Sequence, residues 1–216
     1  MLKYWPVLLT LTLAACAPAV QASPTAEPTA TPQPAFFDDF EDPNSGWFVG
    51  LDEFGEARYQ DGGYLIAPPT DSGSWSSTDS PNDESFSDMR VEVDARKVAG
   101  PDENEYGVYC RLSGEPATFY LGLIGNDGFY GIYERTADDE WLLIEGAEDE
   151  PIEINAAGNH MRMDCIGSTI SLYVNGDLVA EGSDDSLTRG EAGLYTGTLD
   201  EPGVEILFDN FAVYLP

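Results

Sequence analysis

The chain has 216 residues and sets 9 lysines and arginines against 40 aspartates and glutamates, a formal net charge of -31. Such a surface repels phosphate backbones and anionic bilayers, so nucleic acid is excluded as a partner; bound cations and neutral ligands such as glycans remain compatible. One histidine and three cysteines build no zinc site of familiar ligand spacing.

Residues 1–15 open with Lys3 and an apolar run from about Tyr4 to Leu13. The run is too short for a permanent spanning helix and reads as a signal peptide. It ends in Leu13-Ala14-Ala15-Cys16, which resembles the lipobox of bacterial lipoproteins. The resemblance implies cleavage just before Cys16, a diacylglyceryl group on its thiol, and a protein lipid-anchored in the cell envelope, exposed outside the cytoplasmic membrane. Membrane contact is then through the anchor only, and two or three acyl chains hold durably where one is marginal. Residues 16–35 form the tether that comes next. Pro18, Pro24, Pro28, Pro32 and Pro34 among alanines and threonines bury nothing, and favour extended polyproline II reaching up to ~60 Å.

From Phe36 to Pro216 the texture changes. Turn signals such as Pro43-Asn44-Ser45-Gly46, Asp61-Gly62-Gly63, Gly100-Pro101-Asp102 and Asn126-Asp127-Gly128 alternate with runs rich in Val, Ile, Tyr and Phe. No sustained 3.6-residue period occurs, so residues 36–216 read as one all-β sandwich domain. Val91, Val93 and Ala95 alternate with Arg90, Glu92 and Asp94 as one half-buried strand; Met161, Met163 and Cys165 mark the inward face of another. Asn175-Gly176 predicts a tight hairpin of the type I′ class.

Asn104–Thr136 reads as three consecutive strands. Val108, Cys110 and Leu112, then Phe119, Leu121 and Leu123, are expected on the core face. Tyr109, Arg111, Tyr120, Tyr133 and Arg135 are expected on the opposite face. With Cys16 lipidated, Cys110 and Cys165 are the remaining thiols, both on expected core faces of an exported chain, and a disulfide between them is predicted. The acid-rich run from Asp138 to Glu153 reads as a solvated loop.

Three segments carry a wider resemblance: Phe86–Ala95, Ser171–Gly176 and Val204–Phe211. They resemble the concanavalin A-like lectin/glucanase superfamily, including laminin-G-like and 3-keto-disaccharide hydrolase-like domains. The resemblance implies a two-sheet antiparallel jelly-roll sandwich. Phe37-Asp38-Asp39-Phe40 and Phe208-Asp209-Asn210-Phe211 fit first and last strands lying side by side. Glucanase relatives place Glu-x-Asp-x-x-Glu, or a form one residue shorter, on one strand; Glu92 and Asp94 match, but Arg96 and Lys97 stand where the second Glu belongs. Retaining hydrolysis needs both carboxyl groups, so that site reads as incomplete and the pair as a polar outer face. His160 reads as a surface residue, since no nucleophile elbow accompanies it.

The candidate ligand-binding residues are Tyr109, Arg111, Tyr120, Tyr133 and Trp141. Sugar C–H faces stack on aromatic rings, and guanidinium offers a planar fork to hydroxyls. The same residues equally describe a well-covered outer sheet face. No cofactor is expected, except that related jelly rolls hold structural calcium on carboxylates and carbonyls; Asp38, Asp39 and Asp209 are the candidate ligands. The function expected is surface-anchored, non-catalytic binding of a glycan or cell-surface polymer. The alternatives are a glycoside hydrolase of the keto-disaccharide type and a structural or adhesion module binding protein.

Overall fold

The computed structural model describes Met1, residues 33–147 and residues 151–216. The signal peptide, Cys16 and the tether up to Pro32 therefore lie outside the described residues, apart from Met1. Pro32–Pro216 is a unit of its own.

Its strands, in chain order, begin with β1 (Phe36–Asp38), β2 (Gly50–Asp52), β3 (Gly55–Gln60), β4 (Gly63–Ala67) and β5 (Trp75–Asp79). Next come β6 (Met89–Ala99), β7 (Asn104–Ser113), β8 (Thr118–Ile124), β9 (Tyr130–Arg135) and β10 (Trp141–Ala147). The last are β11 (Asn159–Ile166), β12 (Thr169–Val174), β13 (Asp177–Ser183), β14 (Glu191–Thr198) and β15 (Glu205–Tyr214). No helix occurs among the described residues. A nine-stranded sheet runs β13-β12-β11-β6-β15-β4-β3-β2 with β1 also on β15; a six-stranded sheet runs β10-β9-β8-β7-β14-β5. All pairings are antiparallel.

The expected alternation in β6 and β11 holds. Met89, Val91, Val93, Met161, Met163 and Cys165 are fully buried between the sheets, while Arg90, Glu92, Asp94 and Arg162 face out. Asn175 and Gly176 take φ of 54° and 93°, the left-handed pair that closes the β12–β13 hairpin as predicted. First and last strands lie together, with Phe36 opposite Val213 and Asp38 opposite Phe211. The Ala35 N–H also donates to the Val213 carbonyl at 2.7 Å, one residue before β1 begins. Near this seam Trp47 packs edge-on against Phe211 and tilted against Phe40 and Tyr64. The run expected as a solvated loop after Asp138 contains a strand, β10, paired along β9.

Cys110 and Cys165 form the expected disulfide, across a sequence separation of 55. Closing a loop of that length stabilises by about 4 kcal/mol in the chain-entropy account. One residue later the expectation fails. Arg111 does not face out. It has φ of 59° at an irregularity where the β7–β8 register shifts between Cys110 and Ser113, which turns its side chain inward. The guanidinium is 1% exposed and donates to the carbonyls of Ser87 (2.9 Å), Leu187 (2.9 Å), Cys165 (3.3 Å) and Gly167 (2.8 Å). The Asp88 carboxylate, 3.5 Å away, supplies countercharge.

The parity of β8 is also the reverse of expectation. Tyr109 sits directly opposite Leu121, and Cys110 opposite Tyr120, and directly opposed residues share a face. Tyr120 therefore points into the sandwich, where its hydroxyl bonds Asp184 and Ser186 and accepts from the Leu187 N–H. Phe119, Leu121, Leu123 and Leu112 fall on the outward face of the six-stranded sheet instead of its core face.

Arg111→Met is expected to lose about 3 kcal/mol of unfolding free energy, because four carbonyls lose a charged donor while buried. Arg111→Lys is expected to recover little, since an ammonium cannot reproduce the planar fork. Urea unfolding of both variants checks this; a loss below about 1 kcal/mol for the Met variant overturns it.

Candidate functional site

The outward face of the six-stranded sheet is aromatic. Tyr109, Phe119, Leu121, Leu123 and Tyr195 are buried there beneath half-buried Trp75, Tyr133 and Trp141. Glycines make the layer dense: a Cβ on Gly193 would lie 2.1 Å from the Tyr109 hydroxyl, so that ring lies flat across β14 only because position 193 has no side chain. Trp75 stacks on Tyr195 at 5.9 Å and 22°, and Trp141 meets Trp75 edge-on at 5.9 Å. The Arg135 guanidinium lies 5.3 Å from the Trp75 ring centroid, held by the Ala117 carbonyl and by Asp139 at 2.7 Å.

Of the five sequence-based ligand candidates, the structure thus brings Tyr109, Tyr133 and Trp141 to this face. It removes Arg111 and Tyr120 to the sandwich interior. The three that share the face are packed into its aromatic layer, Tyr109 completely.

A cleft of about 620 Å³ opens at the edge of the same sheet, along β5. One wall is the β2–β3 hairpin with Phe54 and the segment leading into β2 with Phe48; the β7–β8 turn around Gly114 and Glu115 also lines it. Trp75, Ser77 and Asp79 project from β5, and Glu191 stands at the start of β14 beside them. Phe48 is 50% exposed and Phe54 62% exposed, although each is a large apolar ring. The hairpin holds Phe54 out through an Asx turn, with the Phe54 N–H donating to Asp52 Oδ1 at 2.8 Å. The Tyr109 hydroxyl donates to Asp79 from beneath. Burial first, then the Asp79 charge, pushes the Tyr109 phenol well up, so it stays a neutral donor. Burial, then the charges of Asp79 and Asp83, raises Glu191 above the ordinary carboxylate range.

Sequence reasoning missed Phe48, Phe54, Asp79 and Glu191. The signal was present in Gly46-Trp47-Phe48-Val49-Gly50-Leu51, an apolar run between turn residues in a strongly acidic chain. Nothing in one sequence tells which of those side chains the hairpin leaves outside.

A second hollow, about 440 Å³, lies on the outward face of the nine-stranded sheet and includes Asp94, His160 and Asp209. These three stand opposite one another across β11, β6 and β15. His160 Nδ1 and Asp94 Oδ1 are 2.8 Å apart, His160 Nε2 lies 3.8 Å from Glu92, and Asn210 donates to the other Asp94 oxygen at 2.9 Å. The Glu92-Val93-Asp94 segment is thus a polar outer face, as read from the sequence, and its partner is the lone histidine.

Of the three aspartates considered for calcium, Asp39 and Asp209 lie near enough for their charges to oppose each other, while Asp38 is engaged elsewhere. Asp38 is buried and accepts from Trp47 Nε1 and the Phe40 N–H, both at 2.8 Å, while Asp39 accepts from the Glu41 N–H. Asp209 belongs to the second hollow, its carboxyl raised by burial and by Asp94, Asp39 and Glu41. Among the described residues no three or more His, Cys, Asp or Glu side chains converge as a metal site.

No family model matches the chain, and no curated protein sequence does. Solved structures do. A carbohydrate-binding module, CBM66 from Bacillus subtilis, superposes with TM-score 0.64 at 18% identity over 79% of this chain and 96% of the module. SCLam, a non-specific endo-β-1,3(4)-glucanase of family GH16, gives 0.61 at 11% identity over 88% and 94%. The catalytic domain of a laminarinase from Thermotoga petrophila gives 0.58 at 10% identity over 87% and 99%. At these identities the likeness establishes the fold alone: a two-sheet antiparallel jelly-roll sandwich, as expected from the sequence.

His160 is the sole histidine and gives a single imidazole signal. The hydrogen bond to Asp94, then the charges of Asp94 and Glu92, raises it above the ordinary 6.5. An NMR titration is expected to show that elevation, and Asp94→Asn to return the midpoint toward 6.5. Because the folded-state value is the higher one, the pair's contribution to stability is complete below about pH 6.5 and is lost as pH rises through the folded-state value. A midpoint at or below 6.5 in the parent protein contradicts the pairing.

Proposed function

We propose that this protein binds a glycan, without cleaving it, in the cleft along β5. The observation that carries the reading is the pair of exposed phenylalanine rings beside a cleft of about 620 Å³ also lined by Ser77, Asp79, Glu115 and Glu191. That volume suits a few sugar units. Apolar rings accept the C–H face of a pyranose or furanose, and carboxylates and hydroxyls accept its hydroxyl donors. The neighbour named as a carbohydrate-binding module supports this reading, and those named as glucanases support a glycan ligand without deciding between binding and cleavage. On this reading Cys16 carries the lipid anchor, and residues 17–35 hold the sandwich out from the envelope toward a surface polymer.

A second reading is a glycoside-cleaving enzyme. It is favoured by Asp79 and Glu191 lining one cleft with Glu191 raised, the kind of unequal carboxyl pair such chemistry uses. Release of reducing ends from an oligosaccharide, abolished by Glu191→Gln, decides for it.

A glycan array followed by calorimetry on the best binder is expected to show that Phe54→Ala weakens binding about tenfold, some 1.4 kcal/mol. Phe48→Ala is expected to weaken it several-fold. Both rings are half or more exposed, so the variants should melt with the parent protein. Unchanged affinity in the double variant removes the cleft from consideration.

A further inference from the structure

Among the described residues the cleft is lined by carboxylates and by no cation. Asp52, Glu56, Asp79, Glu115 and Glu191 all border it, and no lysine, arginine or histidine does. Glu56 is answered from outside the cleft by Arg58 at 2.9 Å. Arg135 lies by Trp75, yet its guanidinium is engaged by the Ala117 carbonyl and Asp139. Other cations are committed elsewhere: Arg90 and Arg162 to Asp164, Lys97 to Asp102, Arg111 to the interior carbonyls, Arg189 to Ser85. Asp79 and Glu191 are near enough for their charges to oppose each other.

The rings add to this. Phe48 and Phe54 carry no polar edge, and the negative face of an exposed phenyl ring attracts a cation. Rings and carboxylates lining one cleft complement a ligand that is a sugar with a positive charge. We propose that the cleft selects glycans bearing free amino groups, hexosamine polymers with unblocked ammonium groups, over their N-acetylated and uronic acid counterparts. The proposal rests on the glycan-binding reading and names its substrate class. Neutral sugars gain only stacking and hydroxyl contacts here. Carboxylated or sulfated sugars meet like charge on every side, and such juxtaposition costs more than rim contacts return.

The test titrates the full-length chain with three oligosaccharides of equal length: fully de-N-acetylated glucosamine hexamer, N-acetylglucosamine hexamer and a hexuronate. The free amine is expected to bind at least tenfold more tightly than its acetylated form, with no measurable binding of the hexuronate. Raising salt from about 0.05 M to 0.5 M should shrink the difference, since both partners are partly solvated. Asp79→Asn with Glu191→Gln should erase most of it. Because the whole surface is acidic, a control removes two charges elsewhere, Asp200→Asn with Glu201→Gln, both exposed and outside the cleft.

Equal affinity for the amine and acetylated hexamers overturns amine selection and leaves glycan binding standing. An amine preference that survives Asp79→Asn with Glu191→Gln, or that the control pair diminishes equally, assigns it to the general surface charge and overturns the proposal. Absence of binding to all three hexamers, together with a glycan array on which Phe54→Ala changes nothing, removes both readings.

Discussion

The structure hangs on what happens at two consecutive residues of β7. Cys110 reaches the β11 strand covalently, and Arg111, turned inward at the same point, binds carbonyls from three separate segments. Ser87 lies before β6, Cys165 and Gly167 at the end of β11, and Leu187 in the connection before β14. One short stretch of the six-stranded sheet therefore fixes an end of the nine-stranded sheet and the loop between them. A buried guanidinium is costly unless its donors find acceptors and a countercharge stands near; here each of its three nitrogens donates to a carbonyl, and Asp88 lies 3.5 Å away. Beside it Tyr120 uses its hydroxyl on Asp184 and Ser186, and burial, then the hydrogen bond to Asp184, pushes its phenol up to about 12. The loop before β14 is thereby pinned from two directions, which sets where Glu191 begins its strand.

That same point marks the limit of what the sequence disclosed. Strict alternation is legible because its period is two, and it read correctly along β6 and β11 and into the Asn175-Gly176 turn. The Cys110–Cys165 bond was legible because few thiols were left to choose from. A bulge breaks alternation without any local compositional mark, and an arginine in a row with tyrosine reads as a solvated wall. Parity in β8 failed for a related reason. Phe119, Leu121 and Leu123 look like core residues, and they are buried, but in a second apolar layer on the other side of the sheet. A sheet apolar on both faces gives the alternation nothing to choose between.

The candidate site was half legible. The meander Asn104–Thr136 does build the aromatic face, and Tyr109, Tyr133 and Trp141 are on it. These residues are its foundation, packed under and beside one another, and the open chemistry lies at the neighbouring edge. There the β2–β3 hairpin and the segment leading into it expose Phe54 and Phe48. Hairpin side chains at a sheet edge are set by long-range packing: Gly55 is hemmed by the Ala67 carbonyl, and Tyr64 donates to the Phe48 carbonyl at 2.5 Å. Neither contact has a signature within a few residues of the rings it positions. The two outward faces have in this way become unlike. One is a row of charges centred on Asp94; the other is an aromatic floor with an acidic cleft at its rim.

The near-perpendicular indoles of Trp75 and Trp141, 5.9 Å apart, have an optical consequence. Chromophores at that distance are close enough for their excitations to couple, so the dichroism of the pair depends on the surroundings of both rings. Trp75 borders the cleft, while Trp141 is packed beside Phe119 and Tyr195. Whatever settles against Trp75 alters one member of the couple and leaves the other in place. The protein carries, in its own ultraviolet spectrum, a gauge of whether the cleft is filled.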